Sequence, residues 1–187
     1  MRIIAGVAKG RKIYSGDIGG TRPTLDRVKE SLFNIIEYPL NCNTVLDLFA
    51  GTGNLGLEAL SRGADFATFV DINKECCKLI RRNVDLLNFN DISEIINIKS
   101  ESFLQMTKQK YDIIFMDPPY HNQGLIYSAI NIICEKDILK DGGIIIIEHD
   151  DNFKPKCKPN DIRKYGSTFL SFYNKEKLLT FKNFKNL

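Results

Sequence analysis

Short apolar segments rich in β-branched residues alternate with helical patterns along most of this chain, from about residue 44 onward. In the helical segments apolar residues recur at intervals of three and four, as between Leu125 and Ile133. This alternation is typical of a parallel sheet with helices packed on both faces. The sequence therefore predicts a doubly wound, Rossmann-like α/β fold, with strands at residues 44–49, 66–70, 95–98, 111–116 and 143–147.

The C-terminal part of the chain departs from this alternation. Residues 161–165 and 168–173 are two short strand-like segments, and Gly166 and Ser167 separate them, which indicates a hairpin. Two closing strands without a helix between them predict an antiparallel edge of the sheet.

The N-terminal part predicts a further small element. Residues 2–5 and 11–14 flank a glycine-containing turn and are expected to form a short basic β-ribbon. A helix is predicted to follow, with Thr24 as its N-cap and Asp26 in its first turn, where a carboxylate is favourable.

The overall composition is that of one globular domain, because the 187 residues are 43% hydrophobic and 26% charged, which excludes disordered and fibrous proteins. The net charge of +3 conceals a segregation: residues 1–30 carry +4, residues 31–153 carry −8 and residues 154–187 carry +7. Basic ends around an acidic centre indicate a polyanionic partner, although solvated lysine-rich ends would give the same pattern.

The sequence indicates neither a membrane segment nor a secretory leader. The most apolar stretch, residues 144–147, is far shorter than the roughly 18 residues of a membrane span, and Lys9, Arg11 and Lys12 interrupt the N-terminus. We therefore expect a cytoplasmic protein that contacts no membrane. The five cysteines show no C-x-x-C spacing, so we expect neither a metal site nor disulfides.

The first predicted strand runs into a glycine-rich turn. Gly51, Gly53 and Gly56 have the G-x-G-x-x-G spacing where a strand leads into a helix, and such a turn lets a ligand approach the backbone closely. Asp71 ends the second strand, where a carboxylate can accept hydrogen bonds from the ribose hydroxyls of an adenosine-containing cofactor. A tight turn without any ligand, with Asp71 capping the next helix, is the alternative interpretation.

Asp47 distinguishes between two kinds of cofactor. In a dinucleotide site the helix N-terminus holds a pyrophosphate, whereas an S-adenosylmethionine site uses the same crevice for the methionine end. A carboxylate just before the glycines would repel a pyrophosphate and attract the methionine ammonium group. The sequence therefore favours S-adenosylmethionine.

Residues 117–120 read Asp-Pro-Pro-Tyr and follow the fourth core strand at its carboxyl end, the edge at which open α/β sheets bind ligands. The exocyclic amine of a nucleobase is a poor nucleophile because its lone pair is delocalised into the ring. The carboxylate of Asp117 and the carbonyl of Pro118 can accept hydrogen bonds from the two N–H groups of the amine and so turn its lone pair towards a methyl group. Tyr120 can stack on the base. These three residues are the predicted catalytic residues, and a plain turn after a strand is the alternative.

With these motifs in place, the chain resembles the class I S-adenosylmethionine-dependent methyltransferases, and within them the bacterial family that methylates guanine N2 in 16S ribosomal RNA. The resemblance extends from residue 1 to about residue 174. Its most specific part is N-terminal, since many amine methyltransferases share Asp-Pro-Pro-Tyr. The segments that carry it are residues 2–6 (RIIAG), 9–12 (KGRK), 21–24 (TRPT), 26–34 (DRVKESLFN) and 47–64.

The resemblance implies a seven-stranded sheet with an antiparallel last strand, in a single domain over residues 1–187. Within it, residues 1–22 would be a basic RNA-facing extension, residues 23–174 the catalytic core and residues 175–187 a basic tail. S-adenosylmethionine would be held by Asp47, Gly51 and Gly53 at the methionine end, by Asp71 at the ribose, and by Ile72 and the Ser100 backbone at the adenine.

The same resemblance gives the basic N-terminus a partner. Small-subunit ribosomal RNA, in the subunit or an assembly intermediate, would present phosphates to Arg2, Arg11, Lys12, Arg22 and Arg27. A solvated surface is the simpler expectation for Lys9 and Lys29. We expect the protein to act as a monomer.

Three other functions compete with this one. Adenine-N6 methylation of DNA or RNA also uses Asp-Pro-Pro-Tyr, but such enzymes usually need a separate target-recognition region, for which this chain has no room. A nicotinamide-dependent oxidoreductase would explain the glycine turn and Asp71 but has no use for residues 117–120. A non-catalytic RNA-binding module has no use for Asp117 and Tyr120.

Overall fold

The computed structural model describes residues 1–15, 26–36, 43–119 and 123–178. Helices and strands alternate along the chain as the periodicity predicts. In chain order they are α1 (Asp26–Ile35), β1 (Thr44–Asp47), α2 (Asn54–Ser61), β2 (Phe66–Asp71), α3 (Lys74–Leu87), β3 (Ser93–Asn97), α4 (Ser100–Met106), β4 (Tyr111–Met116), α5 (Gln123–Lys136), β5 (Leu139–His149), β6 (Asp161–Tyr165) and β7 (Thr168–Asn174). Across these described ranges, each helix is too short or too polar to cross a membrane.

In the described part of the chain, seven strands form one sheet in the order β3-β2-β1-β4-β5-β7-β6. Strands β1 to β5 are parallel to their neighbours among themselves. Strand β7 is antiparallel to both β5 and β6, so the predicted hairpin closes the sheet. The predicted fold class, a mostly parallel doubly wound sheet with an antiparallel end, is confirmed.

Helices cover both faces of the sheet, and the side chains of β4 show how. Ile113 and Phe115 pack into a core with residues of α1, α2 and α3, whereas Ile114 and Met116 pack on the opposite face with α4 and α5. Because both faces of the central strands are buried, these strands are apolar throughout rather than alternating. This burial is the physical reason for the continuous apolar runs in the sequence.

Several strand boundaries differ from the sequence prediction: β1 ends at Asp47 rather than at 49, and β3 covers Ser93–Asn97 rather than 95–98. Strand β5 begins at Leu139 rather than 143, because the strand continues through Gly142, which has a positive φ of 75°, and Gly143. Two consecutive glycines interrupt the apolar pattern that would otherwise have extended the prediction. Helix α4 was not predicted, and the proposed N-cap Thr24 lies outside the described residues.

The predicted N-terminal ribbon is confirmed by an antiparallel bridge between Arg2 and Lys12. Ile3 and Ile13 are buried in the core beneath α1, α2 and α3. The turn of the ribbon packs directly on the end of α2, since a Cβ at Gly6 would lie 1.7 Å from the carbonyl oxygen of Ser61. Only glycine fits there, and its φ of +84° also favours glycine.

Candidate active site

The strand order reverses between β1 and β4, and the residues predicted to bind ligands lie at the carboxyl ends of strands at this switch point. The glycine turn follows β1, Asp71 ends β2, and Asp117 follows β4. Open α/β sheets bind their ligands in the crevice at such a point. The structure therefore brings the two predicted motifs to one edge of the sheet.

The glycine turn has the backbone conformation that its sequence predicts. Gly51 and Gly53 have positive φ values of 53° and 77°, and the N–H of Gly53 donates to the carbonyl of Ala50 at 2.6 Å. Gly53 is also the N-cap of α2. The turn thus places the N-terminus of α2 at the carboxyl ends of the parallel strands.

Asp47 is buried at the end of β1, and one of its oxygens accepts a hydrogen bond from the N–H of Gly56 at 3.0 Å. Burial raises the pKa of this carboxyl to about 7, the Gly56 hydrogen bond opposes the shift, and the nearby charge of Asp71 adds to it. A carboxyl with this pKa gains a full negative charge most readily when a cation arrives beside it. The arrangement suits an ammonium group rather than a phosphate.

Asp71 is held by the glycine turn rather than by a helix end. Its Oδ2 accepts from the N–H of Gly51 at 2.8 Å, and its Oδ1 accepts from the N–H of Asn73 at 2.7 Å. The N-cap of α3 is Asn73, whose side chain accepts from Glu75 N–H, so the capping alternative for Asp71 is wrong. A carboxylate has about four lone-pair positions and can accept further hydrogen bonds.

The residues proposed for the adenine end are Ile72, which follows Asp71 directly, and Ser100. Ile72 is 65% exposed, which is unusual for isoleucine and leaves an apolar surface next to the carboxylate. Asn97, which sequence reasoning missed, donates to the carbonyls of Asp71 and Ile72, each at 2.9 Å, and fixes this turn. Ser100 is buried at the start of α4, where its hydroxyl donates to Glu101.

Asp117 is partly buried at the end of β4. Burial, then the charge of Glu148, then that of Asp47, raise the pKa of its carboxyl well above the usual value. Beside it is a small cleft, open to solvent, whose lining includes Pro118, Pro119 and Glu148. Glu148, which was not predicted from the sequence, lines this cleft. The predicted catalytic Tyr120 lies outside the described residues.

Lys29 was expected to be solvated, and that expectation is wrong. Its side chain is fully buried, and its ammonium group donates to the carbonyl of Arg2 at 2.7 Å and to Asn54 Oδ1 at 2.8 Å. It also lies 3.0 Å from Glu58 Oε2. Asn54 is the first residue of α2, immediately after the glycine turn, so Lys29 joins the ribbon, α1 and the turn.

Glu58 is the centre of this buried charge cluster. Besides Lys29, it pairs with Arg62 at 2.8 Å and accepts from the backbone N–H groups of Ile4 and Ala5 at 2.8 and 3.0 Å. A buried carboxylate surrounded by donors of this kind is stable only while its partners remain. The cluster anchors the N-terminal ribbon to the helix that follows the cofactor turn.

The residues predicted to contact RNA differ in their surroundings. Arg2 pairs with Asp26 at 3.0 Å on the surface, and Arg11 donates to the carbonyl of Leu86 at the end of α3. Lys12 and Arg27 are exposed, and Arg22 lies outside the described residues. The described part of the set lies on the ribbon and on α1.

This chain is similar in sequence and structure to several known proteins. A family model described as Conserved hypothetical protein 95 matches residues 1–174. Ribosomal RNA small subunit methyltransferase D of Haemophilus influenzae is 38% identical over 164 residues, covering 86% of this chain and 84% of that protein. Putative rRNA methyltransferase YlbH of Bacillus subtilis is 36% identical over 183 residues, covering 94% and 99%.

A solved structure described as putative methyltransferase yhhF from Escherichia coli superposes with a TM-score of 0.81 at 33% identity, covering 93% of this chain and 97% of that one. The fold and the sequence therefore agree on the class of protein, and the prediction of a methyltransferase is confirmed. The chain belongs to the Conserved hypothetical protein 95 family.

Proposed function

We propose that this protein, acting as a monomer, transfers a methyl group from S-adenosylmethionine to the exocyclic N2 amine of a guanine in 16S ribosomal RNA, in the small subunit or an assembly intermediate. The observation that carries the proposal is the placement of Asp117, with its two prolines, beside Asp47 and the glycine turn at the switch point of the sheet. The names of its relatives, which include small-subunit ribosomal RNA methyltransferases, support the RNA substrate.

The residues at this edge fit S-adenosylmethionine. When bound, the cofactor supplies a methyl group on a sulfonium, a leaving group that departs as a neutral thioether. Asp47 would pair with the methionine ammonium group, and the Gly51–Gly53 turn would approach the methionine backbone. Asp71 would accept from the ribose hydroxyls, and the exposed face of Ile72 would pack on adenine, with the Ser100 backbone nearby.

The chain's own chemistry at the target amine consists of positioning and electrostatics. The Asp117 carboxylate and the Pro118 carbonyl each accept a hydrogen bond from one N–H of the amine. The nitrogen lone pair is then free to face the methyl group. The carboxylate then stabilises the positive charge that develops on nitrogen as the new N–C bond forms. One N–H proton then passes to water, and Tyr120 would stack on the base.

The direct test of the substrate is transfer of tritiated methyl groups to purified small subunits that lack the modification. We expect incorporation to approach one methyl per small subunit and to stay at background on large subunits. Incorporation into large subunits alone would contradict the proposed substrate.

Cofactor affinity is expected to rise with pH up to about 7, the pKa to which burial raises Asp47. Below that pH the carboxyl is protonated and cannot pair with an ammonium group, so the dissociation constant should increase by up to about tenfold per pH unit. Titration calorimetry with S-adenosylmethionine between pH 5.5 and 7.5 measures this. Asp47→Asn, which keeps the hydrogen bond to Gly56, should bind weakly with little pH dependence in this range; a flat profile for the natural protein would contradict the assignment.

Phosphate contacts by exposed cations are expected to set the salt dependence of RNA binding. In the proposed arrangement, residues 1–22 and the start of α1 face the RNA. The double substitution Lys12→Gln and Arg27→Gln should reduce the slope of log K against log salt concentration by about one per lost contact. Lys110→Gln is the matched control. Lys110 is exposed just before β4, at the amino ends of the strands and therefore away from the glycine turn. An unchanged slope in the double variant would mean that Lys12 and Arg27 are solvated and do not contact the RNA.

A further inference from the structure

Glu148 lies on β5, and Asp117 directly follows the neighbouring strand β4. In the parallel pairing of β4 with β5, Phe115 is opposite Ile146 and Met116 is opposite Ile147, so the next step of the register brings 117 beside 148. Alternation along the strands places both residues on the face of Phe115 and Ile146, which is covered by α1, α2 and α3. Neighbouring parallel strands are about 4.8 Å apart. After burial, the charge of Glu148 is the next cause that raises the pKa of Asp117, in agreement with this closeness.

Glu148 lies at the cleft beside Pro118. Glu148 is only 7% exposed and belongs to the lining of that cleft. On its other side, β7 presents the fully buried Leu170. The neighbouring His149 has both ring nitrogens engaged, by Ser171 Oγ and the Asp150 carbonyl, each at 2.8 Å.

The Asp150 carboxylate, also at the cleft, accepts from the backbone and side-chain N–H groups of Asn152 at 2.9 and 3.0 Å. It is therefore turned to its own loop. Within the described residues, Asp117, the Pro118 carbonyl and Glu148 are hydrogen-bond acceptors at the ends of these two neighbouring strands.

Guanine and adenine differ in what they present to three such acceptors. The amine edge of guanine carries three N–H donors, two on N2 and one on N1, whereas adenine carries two on N6 and an acceptor at N1. We propose that Glu148 selects guanine as the target base by accepting the N1–H hydrogen bond, while Asp117 and Pro118 hold the amine. This inference rests on the proposed function. An unprotonated N1 facing the Glu148 carboxylate would place two acceptors against each other, which costs a hydrogen bond and adds repulsion.

The test uses 2-aminopurine, which retains the 2-amino group but has an acceptor at N1. Once the target nucleotide has been mapped by mass spectrometry, small subunits are reconstituted with RNA carrying guanine or 2-aminopurine at that position. The natural protein should methylate guanine at least about 30-fold faster, in kcat/KM, than 2-aminopurine. Equal rates on the two bases would overturn the inference without any substitution in the protein.

Glu148→Gln supplies an amide N–H that can donate to N1 of 2-aminopurine. We expect the variant to lose at least tenfold on guanine and to reduce the guanine preference by at least tenfold, with S-adenosylmethionine binding unchanged. Asp150→Asn, in the same cleft, should keep the natural preference. If Glu148→Gln slows both bases equally, Glu148 is structural and the inference fails. If the natural protein methylates no guanine in any small subunit, the proposed function fails instead.

Discussion

Asp117→Asn is expected to slow methyl transfer by about 10²–10³-fold, because the amide lacks the negative charge that stabilises the developing positive charge on the amine. The cofactor pairs with other residues, so the dissociation constant of S-adenosylmethionine should change by less than about threefold. Single-turnover transfer to small subunits measures the first quantity, and calorimetry measures the second.

Asp112→Asn is the matched control on the same strand. Asp112 lies at the start of β4, where it pairs with Lys140 at 2.8 Å and accepts from the N–H of Thr44 at 2.7 Å. This substitution should lower stability and leave the transfer rate unchanged. If Asp117→Asn weakened cofactor binding as much as it slowed transfer, Asp117 would belong to the cofactor site and not to the amine.

Glu58→Gln is expected to lower the free energy of unfolding by about 3–5 kcal/mol. The substitution removes the buried carboxylate that pairs with both the ammonium of Lys29 and the guanidinium of Arg62. It also weakens the hydrogen bonds from Ile4 and Ala5 that hold the ribbon. Urea unfolding followed by circular dichroism measures the loss.

Glu75→Gln provides the comparison for that experiment. Glu75 pairs with Lys78 at 2.8 Å, but both side chains are more than half exposed. Exposed pairs contribute little, so this variant should lose less than about 1 kcal/mol. Similar losses in the two variants would mean that the buried cluster is not what anchors the N-terminal ribbon.

The sequence was sufficient to predict the fold because its strongest signals are local. The central strands are buried on both faces and therefore read as apolar runs, and Gly51 and Gly53 mark a turn that requires positive φ. The cofactor edge followed from these elements, because parallel strands place their carboxyl ends together. The chain order of the motifs was enough to predict that Asp47, Asp71 and Asp117 meet there.

The residues that sequence reasoning missed depend on contacts between distant parts of the chain. Lys29 resembles any lysine on an amphipathic helix, and its burial depends on Glu58 and on the carbonyl of Arg2. Glu148 did carry a signal, as a charge at the end of the apolar run 144–147. Its position beside Asp117, however, depends on the strand order, which the local pattern does not specify.

The central claim is that Asp117 and its neighbours direct methyl transfer to the N2 amine of guanine. Its most direct test is nuclease digestion of 16S RNA from small subunits that this protein has methylated, followed by mass spectrometry of the nucleosides. We predict N2-methylguanosine at a single position, absent from subunits treated with the Asp117→Asn variant. N6-methyladenosine in its place would contradict the account.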